Sequence, residues 1–114
     1  MDTLNRYGEI IENILQEYAA IPYRYGDVTT FVVVSRDGNH FLLMDEGWQK
    51  GIRAYDVSVH VEIRGEKIWL HRDGLEDGIT SELLEAGISK KNIVLAFHPP
   101  DVRQYTRPIA IFIP

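Results

Sequence analysis

The stretch that decides the fold runs from Ser58 to Phe97 and reads SVHVEIRGEKIWLHRDGLEDGITSELLEAGISKKNIVLAF. It begins within a longer alternating segment, residues 56–64. Aliphatic side chains occupy every second position of that segment, at Val57, Val59, Val61 and Ile63. A period of two is typical of a strand that buries one face. Residues 56–64 are therefore predicted to form a strand.

A tight turn follows this strand. Gly65 and Glu66 fit a two-residue hairpin loop, because glycine tolerates the positive φ that a type II′ turn requires at its first central position. Residues 67–72 are then the antiparallel partner strand. The predicted register pairs Arg64 with Lys67, Ile63 with Ile68, Glu62 with Trp69, Val61 with Leu70 and His60 with His71. This register places all the aliphatic side chains on one face, whereas a slip of one residue would scatter them.

The hydrophobic period lengthens after Asp73. Ile79, Leu83 and Ala86 mark one face of a helix that we expect to begin near Glu76, and Glu76 and Asp77 would then complement the positive end of its dipole. At the other end of the helix, Gly87 followed by an apolar residue predicts a Schellman-type C-terminus. The turn at residues 89–92 would lead into the next element.

Residues 93–97 form a short and wholly apolar segment, Ile-Val-Leu-Ala-Phe. Such a run is too short for a typical helix and too apolar for an edge strand, so we predict a central strand. A right-handed crossover through the preceding helix would make this strand parallel to residues 67–72.

The N-terminal segment carries apolar residues at alternating spacings of three and four. They are Leu4, Tyr7, Ile10, Ile11, Ile14, Leu15 and Tyr18. This pattern predicts an amphipathic helix of about four turns that starts near Thr3 and ends before Pro22 and Gly26. The apolar stripe either covers one face of the sheet or contacts another subunit or partner.

Two further strands are predicted between this helix and residue 56. Val28 to Val34 is rich in β-branched residues, Phe41 to Met44 is apolar, and Asp37-Gly38 between them is a strong hairpin signal. Residues 45–51 are interpreted as a loop or bulge, in which Trp48 packs against the protein.

These elements predict one α+β domain over residues 1–114. A long N-terminal helix and a second, shorter helix would pack on a mostly antiparallel sheet of about five strands, which is mixed if residues 93–97 run parallel to their neighbour.

Composition restricts the chemistry. The chain has 114 residues, 45% of them hydrophobic, and no cysteine, so disulfides, thiolate nucleophiles and thiolate metal sites are excluded. No apolar run approaches the roughly twenty residues of a membrane span. We therefore expect a cytoplasmic protein.

Charge argues against direct DNA binding. The net charge is −5, which opposes contact with phosphates. The alternative is a basic patch formed by four C-terminal cations, Lys90, Lys91, Arg103 and Arg107.

The C-terminal segment is apolar at Ile109, Ile111, Phe112 and Ile113. We expect it to be covered, either by joining its own sheet or by docking on another subunit, so these four residues are candidate partner contacts. Together with the N-terminal stripe, they predict a homo-oligomer, a dimer or a higher assembly.

No common motif of hydrolases, nucleotide-binding proteins or zinc proteases occurs in the sequence. Asp73, Glu76 and Asp77 cluster at a strand-to-helix corner, where capping is the simpler role. His60 and His71 would have Cβ atoms roughly 5 Å apart across the hairpin, and Asp73 would be a third candidate metal ligand. We expect no catalytic residue, no cofactor and no metal; the alternative is a small metal-dependent binder or enzyme built around His60, His71 and Asp73.

Several stretches resemble the XisI-like family, that of the fdxN element excision controlling factor. They are LNRYGEIIENILQEYA at 4–19, PYRYGD at 22–27, Gly47-Trp48, VHVEI at 59–63, KIWLHRDG at 67–74, EDGIT at 76–80 and GISKKNIVLAFHPPDVRQYT at 87–106. The chain departs from the family at residues 64–66, at Leu75 and beyond Thr106.

The resemblance implies a compact α+β fold and a non-catalytic accessory role in programmed DNA rearrangement. In that process a separate recombinase excises an element that interrupts a nitrogen-fixation gene. A nuclease-like companion, the XisH-type protein, is the implied partner, and the family provides no established active-site residue.

Overall fold

Alternating and helical segments of the sequence form two helices and a five-stranded sheet. The computed structural model describes residues 3–21 and 27–99. Its elements are α1 (Thr3–Ala19), β1 (Asp27–Val34), β2 (His40–Gln49), β3 (Ile52–Arg64), β4 (Lys67–Asp73), α2 (Thr80–Glu85) and β5 (Ile93–Leu95), with a short 3₁₀ turn at Lys90–Asn92. The prediction for the apolar segment Ile109–Ile113 lies outside the described residues.

The sheet has the order β1-β2-β3-β4-β5. Its first four strands are antiparallel to their neighbours, and β5 is parallel to β4, which confirms the predicted mixed sheet. Among the described residues β5 has one neighbouring strand, β4, and it ends at Leu95, so the central position predicted for residues 93–97 is not found there. Helical cover on one face accounts for its apolar sequence, because Ile93 and Leu95 are both buried.

Both helices pack on the same face of the sheet. The core combines the α1 stripe with inward-facing strand residues and the α2 region; its members are Tyr7, Ile11, Ile14, Leu15, Phe41, Leu43, Val59, Val61, Ile63, Ile68, Leu70, Ile79, Leu83, Ile88, Ile93 and Leu95. The apolar stripe of α1 thus covers the sheet, which is the first of the two alternatives predicted for it. The hydroxyl of Tyr18 on α1 donates a hydrogen bond of 2.8 Å to Glu82 on α2 and joins the two helices.

The predicted hairpin of β3 and β4 is confirmed as far as Val61. Gly65 has a φ of 63°, and the four pairs from Arg64·Lys67 to Val61·Leu70 are as expected. The register then shifts, so that His60 pairs with Arg72 rather than with His71. The prediction for His60 is therefore wrong, because β4 contains a bulge there, with His71 as the extra residue.

Helix α2 begins four residues later than predicted. Instead of starting a helix at Glu76, the chain makes a turn in which the carboxylate of Asp73 accepts the N–H of Ile79 at 3.0 Å, and Gly78 has a φ of 70°. The C-terminal end of α2 matches the expected Schellman pattern, with the N–H of Ile88 donating to the carbonyl of Leu83 at 3.1 Å.

The β2–β3 hairpin is longer than predicted. Residues 45–49, interpreted as part of a loop, continue β2, and a two-residue turn at Lys50 and Gly51 leads directly into β3. Both turn residues have positive φ, 53° and 77°, as a type I′ turn requires. Trp48 does not pack against the protein as predicted, since 55% of it is exposed. In the described part of the chain, neither helix is long and apolar enough to span a membrane.

Candidate functional site

The face of the sheet opposite the helices carries a cluster of polar side chains, which we call the histidine face: His40, His60, Glu62 and His71. Alternation along the strands directs these residues away from the core. His40 on β2 lies opposite Glu62 on β3, and the bulge in β4 brings His71 beside His60. All four side chains are partly buried.

The three imidazoles contact one another in a row. His40 Nδ1 lies 3.0 Å from His60 Nε2, so one of the two nitrogens donates to the other. The rings of His40 and His60 have centroids 5.3 Å apart, and those of His60 and His71 are 4.7 Å apart. His60 is therefore the centre of the cluster.

Glu62 anchors one side of this row. Its Oε1 accepts hydrogen bonds from Arg64 Nη2 at 2.7 Å and from His71 Nε2 at 2.8 Å, and its Oε2 lies 3.7 Å from His40 Nε2. The hydrogen bond from Arg64, then that from His71, lowers the pKa of Glu62 to about 2. The carboxylate is thus ionised at neutral pH and already occupied by its donors.

The environment of His60 favours its neutral form. Burial, and then the proximity of His71 and His40, lowers the pKa of His60 below its ordinary value of 6.5. Protonating it would place a positive charge beside two other imidazoles in a partly dry site. At neutral pH the central imidazole is therefore uncharged, and the cluster responds to acidification.

The histidine face continues into a cationic and aromatic pair. The guanidinium carbon of Arg64 lies 4.1 Å from the centroid of the Trp69 ring, a cation–π geometry, and that ring stacks at 6.4 Å from His71. Arg64 thus serves both Glu62 and Trp69. These contacts fix the orientation of side chains that would otherwise be mobile at a surface.

Apolar residues border the cluster on the β1 and β2 side. Phe31 and Val33 on β1 are each 38% exposed, and they pair with Met44 and Leu42 on β2. Because directly paired residues share a face, these four side chains lie on the same side of the sheet as His40. The open face therefore combines a polar cluster with an apolar border.

The structure brings together only part of the predicted metal constellation. His60 and His71 are neighbours, although not in the predicted register. Asp73 serves the start of α2 instead, and its burial there raises its pKa. Within residues 3–21 and 27–99, no group of three or more histidine or carboxylate side chains is disposed to hold a metal ion.

His40 was missed by the sequence reasoning. It belongs to the cluster because the β2–β3 register places it opposite Glu62. The available signal was the polar residue just before the apolar run 41–44, which alternation assigns to the outer face. Of the remaining candidates, Glu76 and Asp77 are exposed ahead of α2, Lys90 and Lys91 are exposed in the 3₁₀ turn, and Arg103, Arg107, Ile109, Ile111, Phe112 and Ile113 lie outside the described residues.

Comparison with known proteins gives one consistent result. Residues 1–108 match the family model described as XisI protein. A crystal structure of an XisI-like protein from Anabaena variabilis ATCC 29413 is 32% identical, with a TM-score of 0.83 over 91% of this chain and 95% of that one. The crystal structure of the fdxN element excision controlling factor XisI from the same organism is 27% identical, with a TM-score of 0.73 over 90% of this chain and 99% of that one. Among curated proteins, none matches the sequence.

Proposed function

This chain belongs to the XisI family, and we propose that it is a non-catalytic accessory protein that controls the excision of a DNA element through a nuclease-like, XisH-type protein partner. The observation that carries this proposal is the likeness to the excision controlling factor, which extends over 90% of this chain and 99% of the other. Because the two chains are alike over nearly their whole length, and not in one motif alone, we infer that they share a function.

The chemistry of the histidine face supports recognition rather than catalysis. A general acid or base is most effective when its pKa lies near the working pH and its proton can reach a substrate. Glu62, with a pKa of about 2, is a poor proton donor, and both Arg64 and His71 already occupy its Oε1. The cluster therefore has the properties of a rigid, hydrogen-bonded surface.

The same face has the composition of a protein contact. Arginine and tryptophan are enriched among the residues that dominate binding energy, and Arg64 and Trp69 form a stacked pair here. The apolar border at Phe31 and Val33 adds surface whose removal from water favours association. We assign the XisH-type partner to this face.

Contact with DNA would then come through the partner. A net charge of −5 repels phosphates, and counterion release gives little affinity without a run of cations. The isolated chain should bind duplex DNA weakly or not at all at physiological salt.

Co-purification tests the proposal. The tagged chain is expressed with the XisH-type protein of the same genome, and the complex is quantified after affinity capture. We expect the wild type to retain the partner and Phe31→Asp to lose it, because a charge would enter the apolar border. Ile21→Asp is the matched control, since Ile21 is 60% exposed at the end of α1, away from this face.

Two results would contradict the proposal. If the wild type does not retain the XisH-type protein, the partner is wrong. If both variants retain it equally, the contact lies on another surface. An excision assay in cells, with and without the gene for this chain, measures the control function separately.

A further inference from the structure

Strand β3 extends beyond the strand that pairs with it. It begins at Ile52, whereas its pairing with β4 begins only at Val59. Among the described residues, no strand lies beside residues 52–58 on the β4 side. The next two residues towards β4 are partly covered, because Arg72 Nε donates to the carbonyl of Val57 at 2.6 Å and the N–H of Gly74 donates to the carbonyl of Ser58 at 2.7 Å. We therefore limit the uncovered segment to residues 52–56 and call it the hairpin edge.

The backbone groups of this edge follow from the turn. A two-residue turn makes Gln49 and Ile52 the hydrogen-bonded pair that closes the hairpin. Along an antiparallel ladder the orientation of the backbone alternates, so the N–H and C=O groups of Arg53 and Tyr55 point to the open side. Unpaired groups of this kind are a template for another strand.

The side chains of the hairpin edge are exposed and held in place. Ile52 is 71% exposed, Tyr55 64% and Trp48 55%. The guanidinium carbon of Arg53 lies 5.6 Å from the Trp48 ring centroid and 5.4 Å from that of Tyr55, and its Nη1 forms an ion pair of 2.6 Å with Glu46. Tryptophan, tyrosine and arginine are the residue types most enriched at binding hot spots.

We propose that a second copy of this chain pairs with the hairpin edge, antiparallel to it, about a two-fold axis that passes beside Ala54. This inference does not depend on the XisH-type partner, because it concerns the isolated chain.

The register argues for a second copy rather than an unrelated strand. A two-fold axis between antiparallel strands places one residue opposite itself, and Ala54 is the centre of the five residues of the hairpin edge. Arg53 then lies opposite Tyr55 of the second copy, and Tyr55 opposite its Arg53. This pairing satisfies every open N–H and C=O group of those two residues and adds cation–π contacts across the axis.

The centre of this register is the smallest side chain of the edge. Because the backbone groups of Ala54 point towards β2, the two copies of Ala54 form a non-hydrogen-bonded pair, in which Cα atoms approach to about 4.5 Å. Pairing cannot slide towards residue 58, since Arg72 and Gly74 occupy that end. The residues available at the hairpin edge are therefore the same ones that pair in the proposed dimer.

Cysteine cross-linking tests the register directly. The chain contains no cysteine, so one introduced thiol reports on its own copy. A Cα separation of about 4.5 Å lies within the range that a disulfide bridges. We expect Ala54→Cys to form a covalent dimer under mild oxidation. Thr29→Cys, exposed on β1 at the opposite edge of the sheet, is the matched control and should stay monomeric under denaturing electrophoresis.

Sedimentation velocity over a concentration series tests the affinity. Ala54→Lys places two ammonium groups face to face and should weaken the dimer by about tenfold or more, whereas Thr29→Lys should not change it. Circular dichroism verifies that both lysine variants are folded. If Ala54→Lys is not folded, cross-linking of the less drastic Ala54→Cys variant gives the answer. A monomeric wild type at millimolar concentration, a dimer unaffected by Ala54→Lys, or cross-linking through Thr29→Cys would each overturn the proposal.

Discussion

Gly47 gives the sharpest test of how the first strand is attached to the sheet. It lies in β2 opposite Val28, with a φ of 153°. A Cβ atom added to Gly47 would lie 1.9 Å from the carbonyl oxygen of Asp27, and 2.8 Å from the Cα of Val28. Real Cβ atoms essentially never approach another atom within 3.0 Å, so Gly47→Ala requires the start of β1 to retreat by more than 1 Å.

The cost of Gly47→Ala follows from that displacement. The atoms in the way are backbone, so no side chain can rotate to relieve the clash. Strain at an unfavourable φ costs of order 1–3 kcal/mol, and each ladder hydrogen bond that is lost costs about 1 kcal/mol. We expect a loss of about 3–5 kcal/mol, a large part of the roughly 5–15 kcal/mol by which domains of this size are stable.

Gly8→Ala is the matched control for Gly47→Ala. In α1 the added Cβ of Gly8 would meet only the ring tip of Phe41 at 3.5 Å, an ordinary van der Waals contact. Alanine is better than glycine inside a helix, so this variant should be about 0.5–1 kcal/mol more stable. Urea titration followed by circular dichroism measures both free energies of unfolding. A loss below about 1 kcal/mol for Gly47→Ala, or a decrease for Gly8→Ala, would refute the reasoning.

Three further predictions concern the histidine face and the core. Because the pKa of His60 is lowered in the folded state, the imidazole binds a proton more readily in the unfolded chain. The free energy of unfolding should therefore decrease as the pH falls below about 6.5. Urea titrations at pH 5 and pH 8 should show a smaller difference for His60→Gln than for the wild type. Glu62→Gln removes the charged acceptor of Arg64 and His71 and should lower the free energy of unfolding by about 1–2 kcal/mol at pH 7. Because the pKa of Glu62 is depressed in the folded state, this stabilisation is present above the unfolded value of 4.5 and is lost as the pH falls towards about 2. The stabilities of wild type and variant should therefore converge near pH 2. Leu83→Ala should cost about 2–5 kcal/mol in the thermal or urea-induced transition, since Leu83 is fully buried between α2 and the sheet.

The elements that could be predicted from the sequence are those specified by neighbouring residues. Alternation from 56 to 64 identified the longest strand, Gly65 identified its turn, and Gly87 identified the end of α2. Each signal acts within a few residues, so the same local physics operates in the isolated segment and in the folded chain. The helix α1 belongs to this group, because its amphipathic period is local, whereas the sequence left open whether its apolar stripe covers the sheet or contacts a partner.

The errors arise where tertiary contacts override local patterns. The register at His60 depends on a bulge in β4, and the side chain of Arg72 at that bulge reaches the carbonyl of Val57, fifteen residues earlier in the chain. The start of α2 depends on Asp73, which holds the N–H of Ile79 and delays the helix. Neither contact leaves a periodic trace in the sequence.

His40 was missed for a related reason. Its position opposite Glu62 depends on the two-residue turn between β2 and β3 and on a second bulge, in which Ser58 of β3 is the extra residue between the partners of Leu43 and Met44. A single sequence fixes neither, although alternation alone assigns His40 to the outer face. The cluster could be only half predicted, as a pair of histidines without the third ring that completes the row.

The two proposed surfaces share one strand, and their geometry sets the stoichiometry of the complex. The histidine face uses the far half of β3, with His60 and Glu62, and the hairpin edge uses the near half, residues 52–56. A two-fold axis perpendicular to the sheet leaves both histidine faces on the same side of a continuous sheet. A dimer of this kind would present two XisH-type partners side by side, raising the effective concentration of the second at the site of the first. The mass of the purified complex should therefore correspond to two chains of each protein, and Ala54→Lys should reduce it to one of each without loss of partner binding. A wild-type complex of one to one would show that the partner binds without pairing at the hairpin edge.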